Sequence, residues 1–277
     1  MRISRLDLDG LGSPAALAAK IHELEPRLSS RVPIEDLCLQ LDIQSIGELE
    51  TDGFEAAIIM DELKASGAIL VAKGRSDERR RYSIAHELGH FLIPAHRPSG
   101  GTAFECSLSD LHLLDPKDRD RRRRVEAEAN RFAAQLLMPP GEVRARIRQT
   151  DPTLESIVAM ARAFGVSKEA MARSWVDANR EPVAIAVAHR GRVLRRYRNE
   201  DFPWLPDGDG RLPKGSLAAE LKPGPGIVSQ VEEVDPAVWL SERDAKRVLG
   251  LREQVLGQRD GYALVLLQAE LDEDDDI

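Results

Sequence analysis

The stretch Arg80-Arg81-Tyr82-Ser83-Ile84-Ala85-His86-Glu87-Leu88-Gly89-His90-Phe91-Leu92-Ile93 carries the pattern H-E-x-x-H. In a helix, His86 and His90 stand one turn apart on one face, able to reach a single metal ion, with Glu87 beside them. Neutral imidazoles suit zinc, and two histidines plus one carboxylate leave a fourth position open for water, as in a hydrolytic site. The surroundings are helical: Ser76 and Asp77 are N-cap candidates, Glu78 falls in the first turn, and Pro94 stops the run.

A second helix supplies the carboxylate. The sequence predicts one from Lys117 to Met138, opened by Asp115-Pro116 and stopped by Pro139-Pro140. Glu126 shares its face with Ala129, Asn130, Ala133 and Leu137, a small-residue face suited to close packing on the metal helix. Glu128 shares its face with Arg131, Phe132 and Gln135, which reads as mixed and partly solvated. Glu126 is therefore chosen as the third ligand and Glu128 kept as the fallback. Asn130, one turn on, is placed to orient a ligating histidine. His96, Cys106 and His112, in an irregular stretch from Ala95 to Leu114, are expected to pack rather than ligate, because the catalytic set is already complete without them. Tyr82 is a candidate oxyanion donor, with packing as its alternative.

Upstream, Ser13-Pro14 opens a helix to Leu24, and Pro33 to Leu41 forms another. Ile43 to Ile46, Glu55 to Met60 and Gly67 to Ala72 read as strands of a small sheet whose exposed edge could pair with an extended substrate. The arginines 121 to 124 read as a solvated helix face. Downstream, Leu154 to Val176 has a helix-turn-helix outline, but Arg162, Lys168 and Arg173 are offset by Glu155, Glu169 and Asp177, so direct nucleic-acid contact is not expected. Val183 to Tyr197 reads as a hairpin turning at Arg190-Gly191, and Arg252 to Leu267 as a second one through Asp260-Gly261. Pro203 to Gly226 reads as a loop and Asp272 to Asp276 as an acidic tail.

The 277 residues suffice for a sizeable core, and a net charge of -8 argues against nucleic acid as a whole-surface partner. Two separated cysteines give no disulfide framework, which fits a reducing compartment, the cytoplasm being the default; no apolar run reaches membrane-spanning length.

His86-Glu87-Leu88-Gly89-His90, taken with Glu126 to Pro139, resembles the ImmA/IrrE family of zinc metallopeptidases within the gluzincins. The resemblance runs from the sheet near Ile43 through the helical pair after Asp151. It implies a zincin-like metallopeptidase domain over 1–147 followed by a helical pair over 148–180, and the strand-rich pattern after Pro182 adds a small α+β C-terminal domain over 181–277, giving an α+β fold in three parts. It also implies a zinc endopeptidase, with His86, His90 and Glu126 holding Zn2+ and Glu87 as general base, whose protein substrate is a helix-turn-helix repressor, so that cleavage derepresses stress or mobile-element genes. No helix-turn-helix is evident at the N-terminus, as some relatives have, so DNA targeting is expected to come from the partner. The C-terminal part either senses a ligand, as the GAF-like domain of some relatives suggests, or caps the peptidase. Two alternatives stay open: a non-catalytic regulator that binds a partner protein, and a DNA-binding regulator acting through residues 154–176.

Overall fold

The computed structural model describes residues 1–97, 103–107, 110–112 and 120–271, with the side chain of His112 left out. The chain divides into two compact units, one of residues 1–139 with Arg162–Ser167, the other of Pro140–Ala161 with Lys168 onward.

In the first unit, helix α1 (Pro14–Leu24) begins where the Ser13 side chain accepts from the Ala16 N–H at 3.1 Å, and α2 is Ile34–Gln40. Strands β1 (Ile43–Leu49), β2 (Ala56–Met60) and β3 (Gly67–Ala72) follow, then α3 (Asp77–Leu92), capped by Ser76. The stretch expected to be irregular holds a fourth strand, β4 (Ala103–Cys106), and a 3-10 turn at Asp110–His112. A four-residue strand is too short for its alternation to stand out; what makes β4 a strand is its antiparallel pairing with β2, where Ala56 faces Cys106 and Ile58 faces Phe104. The sheet runs β1-β3-β2-β4, with β1 parallel to β3 and the other pairs antiparallel, so β4 is an edge.

Helix α4 spans Arg121–Leu137, and Asp120 caps it by accepting from the Arg122 N–H at 2.9 Å. The expected start at Lys117 lies outside the described residues. Arg121 to Arg124 are exposed, as a solvated face requires. Phe132, by contrast, is fully buried, so the face shared with Glu128 is less solvated than its composition implied. Arg81 ties α3 into this unit by donating to the carbonyls of Val32 (2.8 Å) and Gly165 (3.1 Å).

The second unit contains α5 (Pro140–Ile147), most of α6 (Leu154–Phe164) and all of α7 (Lys168–Ala178). Its five-stranded antiparallel sheet is built from β5 (Val183–His189), β6 (Arg192–Arg198), β7 (Glu232–Val234), β8 (Val248–Gly257) and β9 (Tyr262–Leu271), in the order β6-β5-β9-β8-β7. The β5–β6 turn places Arg190 and Gly191 at φ 48° and 79°, the left-handed pair that a two-residue hairpin demands. Val183 to Ala188 are all buried, which explains an apolar run with no alternation: both faces of the strand are covered. On β8, neighbouring residues serve opposite faces. Glu253 accepts from the Leu217 and Ala218 N–H groups and from Trp239 Nε1, while Gln254 accepts from the Leu154 N–H and donates to Glu155. Leu217 belongs to a short helix, α8 (Leu217–Leu221), within the stretch read as a loop. Glu169, in the first turn of α7, is held by Arg195 and Tyr197 of β6.

Candidate metal centre

Helices α3 and α4 bring His86, His90 and Glu126 together, and all three are buried. The facing atoms are His86 Nε2 and His90 Nε2, 3.0 Å apart, with Glu126 Oε2 at 3.2 and 3.4 Å from them. The hydrogen bonds behind them fix both tautomers. Asn130 Oδ1 accepts from His86 Nδ1 at 2.8 Å and from the Tyr82 hydroxyl at 3.0 Å, while Asn130 Nδ2 donates to the Asp110 carbonyl at 2.7 Å. With its proton on Nδ1, His86 turns the lone pair of Nε2 inward.

His90 is set by a longer relay. His96 Nε2 donates to Glu128 Oε2 at 3.0 Å, so a neutral His96 offers Nδ1 as acceptor, and His90 Nδ1 donates to it at 3.1 Å. His90 Nε2 therefore also points a lone pair inward. His96, expected only to pack, is buried and orients His90; Glu128, the fallback ligand, instead holds His96. Lys64 donates to the carbonyls of His90 and Ile93 at 2.8 Å each, satisfying the end of α3. Burial, with Arg97 and Arg5 nearby, lowers its pKa to about 8.

Two lone pairs and a carboxylate facing one another in a dry interior repel unless a cation or a proton lies between them. The titration behaviour has this cause. Burial pulls His90 down to about 3, and the Glu126 carboxylate, which would pair with a protonated ring, only partly opposes this. Burial also acts against charge on His86, but Glu126 and Glu87 beside it leave its pKa raised. For Glu126, burial is outweighed by the two histidines, which hold its carboxyl well below the ordinary range.

Cys106 completes the group. Its Sγ lies 3.5 Å from His90 Nε2 and 3.7 Å from Glu126 Oε2, and the four ligand atoms lie within 4.8 Å of one another. A tetrahedron with metal–N/O bonds of about 2.05 Å has edges of about 3.3 Å, and edges of about 3.5 Å where a sulfur at about 2.3 Å is included. The His–His and His–Glu separations lie near the first value and two of the three sulfur separations near the second, while the third, from Cys106 to His86, is within 4.8 Å. Hence the donors suit a four-coordinate borderline metal such as zinc. Cys106, expected from the sequence to pack, comes beside the histidines because the β2–β4 pairing carries it there.

Glu87 is fully buried, and neither carboxylate oxygen has a hydrogen-bond partner. Burial raises its pKa to about 7, although His86 and the Cys106 thiol oppose the shift. A buried acid without a partner is costly and rare in native proteins.

Gly89, between the histidines, explains how closely the helices approach. A Cβ there would lie 3.0 Å from Phe132 Cδ1 and 3.3 Å from Ala129 Cα, both on α4. Gly89→Val should destabilise the protein by about 1–3 kcal/mol by overpacking, and it should weaken metal binding by moving Glu126 away from the histidines. Denaturant unfolding and zinc titration check this together; unchanged metal affinity would show that the contact does not set the site.

Comparison with known proteins agrees with this geometry. Residues 60–175, which include all four donors and Glu87, match the family model described as the IrrE N-terminal-like domain. The chain is 27% identical over 134 residues to the radiation response metalloprotease IrrE of Deinococcus radiodurans, covering 48% of this chain and 38% of that protein. It is 30% identical over 125 residues to the protein of the same name from Deinococcus deserti, covering 45% and 41%. The chain thus spans about two fifths of the length of these relatives. Among solved structures it is similar to a Mycobacterium tuberculosis transcriptional regulator, with a TM-score of 0.55 and 16% identity, covering 92% of this chain and 76% of that one, which shows a shared fold. Residues 60–175 are thus similar to the IrrE N-terminal-like domain, and the two metalloprotease relatives point to the same family.

Proposed function

We propose that this chain is a zinc-dependent endopeptidase that cleaves a protein, specifically a helix-turn-helix transcriptional repressor, and so derepresses stress or mobile-element genes. The observation that carries the reading is the buried, partnerless carboxylate of Glu87 beside two inward-facing histidine lone pairs and Glu126. His86, His90 and Glu126 would hold the zinc, which supplies Lewis acidity toward the scissile carbonyl and toward water. Glu87, buried next to His86, accepts the proton of the attacking water and returns it to the leaving amine. Asn130 and His96 keep the histidine rings in the tautomers that face inward. The edge position of β4 suits an extended peptide, which can add as a further strand along it and be held by main-chain hydrogen bonds.

No helix among the described residues is long and apolar enough to cross a membrane. We place the reaction in the cytoplasm, where such a repressor acts. The test is to incubate the zinc-loaded protein with a repressor encoded beside it and to follow the repressor by mass spectrometry. One discrete cut, abolished by a chelator, is expected; an intact repressor at full zinc occupancy would remove this substrate.

A further inference from the structure

Within the proposed peptidase site, the strand that would receive substrate also carries a metal donor. Phe104 and Cys106 lie two residues apart on β4 and so point to one face of the sheet edge. Phe104 stacks on the ring of His90, with centroids 4.3 Å apart and planes at 15°. Cys106 is fully buried, and its thiol sits beside His90 Nε2 and Glu126 Oε2. Its backbone is fixed as well, since the Cys106 carbonyl accepts from the Glu55 N–H at 2.8 Å. A hydrolytic zinc site keeps one position for water, whereas four protein donors make a closed site of the structural kind. Here the same group contains both the partnerless base of the first kind and the fourth donor of the second.

We propose that Cys106 is a fourth protein ligand to the metal, giving a closed Cys/His2/Glu resting site that must release its sulfur before a peptide can be cleaved. The inference rests on the peptidase reading only for its consequence; sulfur ligation stands on the donor geometry alone. The β4 edge then has two roles, holding the site shut through Cys106 and presenting the backbone with which a substrate strand pairs. A bound thiolate leaves no position for the water that Glu87 would deprotonate, so zinc-loaded protein alone should be a weak peptidase.

Zinc X-ray absorption on the full chain with Cys38→Ala, which leaves Cys106 as its one thiol, tests ligation directly. One sulfur scatterer at about 2.3 Å is expected, and a shell of nitrogen and oxygen alone would overturn the proposal. In the cobalt-substituted protein, a near-ultraviolet thiolate-to-cobalt charge-transfer band should persist in Cys38→Ala and vanish in both Cys106→Ser and Cys106→Ala. A band that survives loss of Cys106 is a second contradiction. Should either Cys106 variant fail to fold, the absorption measurement on Cys38→Ala still decides. Repressor cleavage should rise on the order of tenfold in Cys106→Ala, the reciprocal of an open fraction of about a tenth. Sulfur ligation with unchanged cleavage in that variant would overturn the closed resting state. Sulfur ligation with no cleavage by any variant would leave the ligand in place and remove the peptidase reading instead.

Discussion

Glu87→Gln should bind zinc as the wild type does and lower the rate of repressor cleavage by on the order of 10²–10⁴-fold, the range lost with a positioned general base. The amide fills the volume of the carboxylate but cannot accept the proton of the attacking water. Apart from the neighbouring Cys106 thiol, Glu87 has no hydrogen-bonding neighbour, so its replacement breaks no extended network. The loss should therefore appear in kcat, with KM little changed. Stability moves the other way. The pKa of Glu87 in the folded metal-free protein is raised from 4.5 to about 7, burial being the main cause. Its stabilising contribution is thus full below about 4.5 and is lost as pH rises through about 7. At neutral pH the glutamine variant should melt no lower than the wild type, and its melting temperature should lack this part of the pH dependence. Retained cleavage by Glu87→Gln would remove Glu87 as the base.

The second large effect separates two glutamates two residues apart. Glu126→Ala should weaken zinc binding by more than about 100-fold, whereas Glu128→Ala should reduce the affinity by only about 10–100-fold. Zinc sites bind with apparent free energies of about 10–16 kcal/mol, so losing one of four donors costs about 3 kcal/mol, and the two buried histidines are left without their counter-charge. Glu128 acts one step away: its carboxylate holds His96, which orients His90. Competition titration against a chelator measures both variants. Equal losses would mean that the metal lies between the two carboxylates rather than at Glu126.

Much of this was legible before any coordinates. H-E-x-x-H set two histidines one turn apart, and the small-residue face of α4 marked Glu126 as the carboxylate that could approach them. Asn130 was readable because it stands one turn from Glu126 on that face, and the structure gives it the expected hydrogen bond to His86. Val183 to Tyr197 announced its hairpin through Arg190-Gly191. What could not be read depends on non-local pairing. Cys106 reaches the histidines because β4 pairs with β2, and β4 is too short to show a period. The His90–His96–Glu128 relay joins residues from α3, the turn after it and α4, and no spacing along the chain encodes it. Gly89 looked like an ordinary helix-weakening glycine until Phe132 and Ala129 were seen against it.

Everything proposed for this chain depends on His86, His90 and Glu126 binding one metal ion together. Metal analysis of the purified chain, paired with thermal unfolding before and after chelation, tests it most directly. About one zinc per chain is expected, with a melting temperature that falls when the zinc is removed and recovery of both on adding zinc back. A chain that carries no metal and whose melting temperature does not respond to added zinc would contradict it.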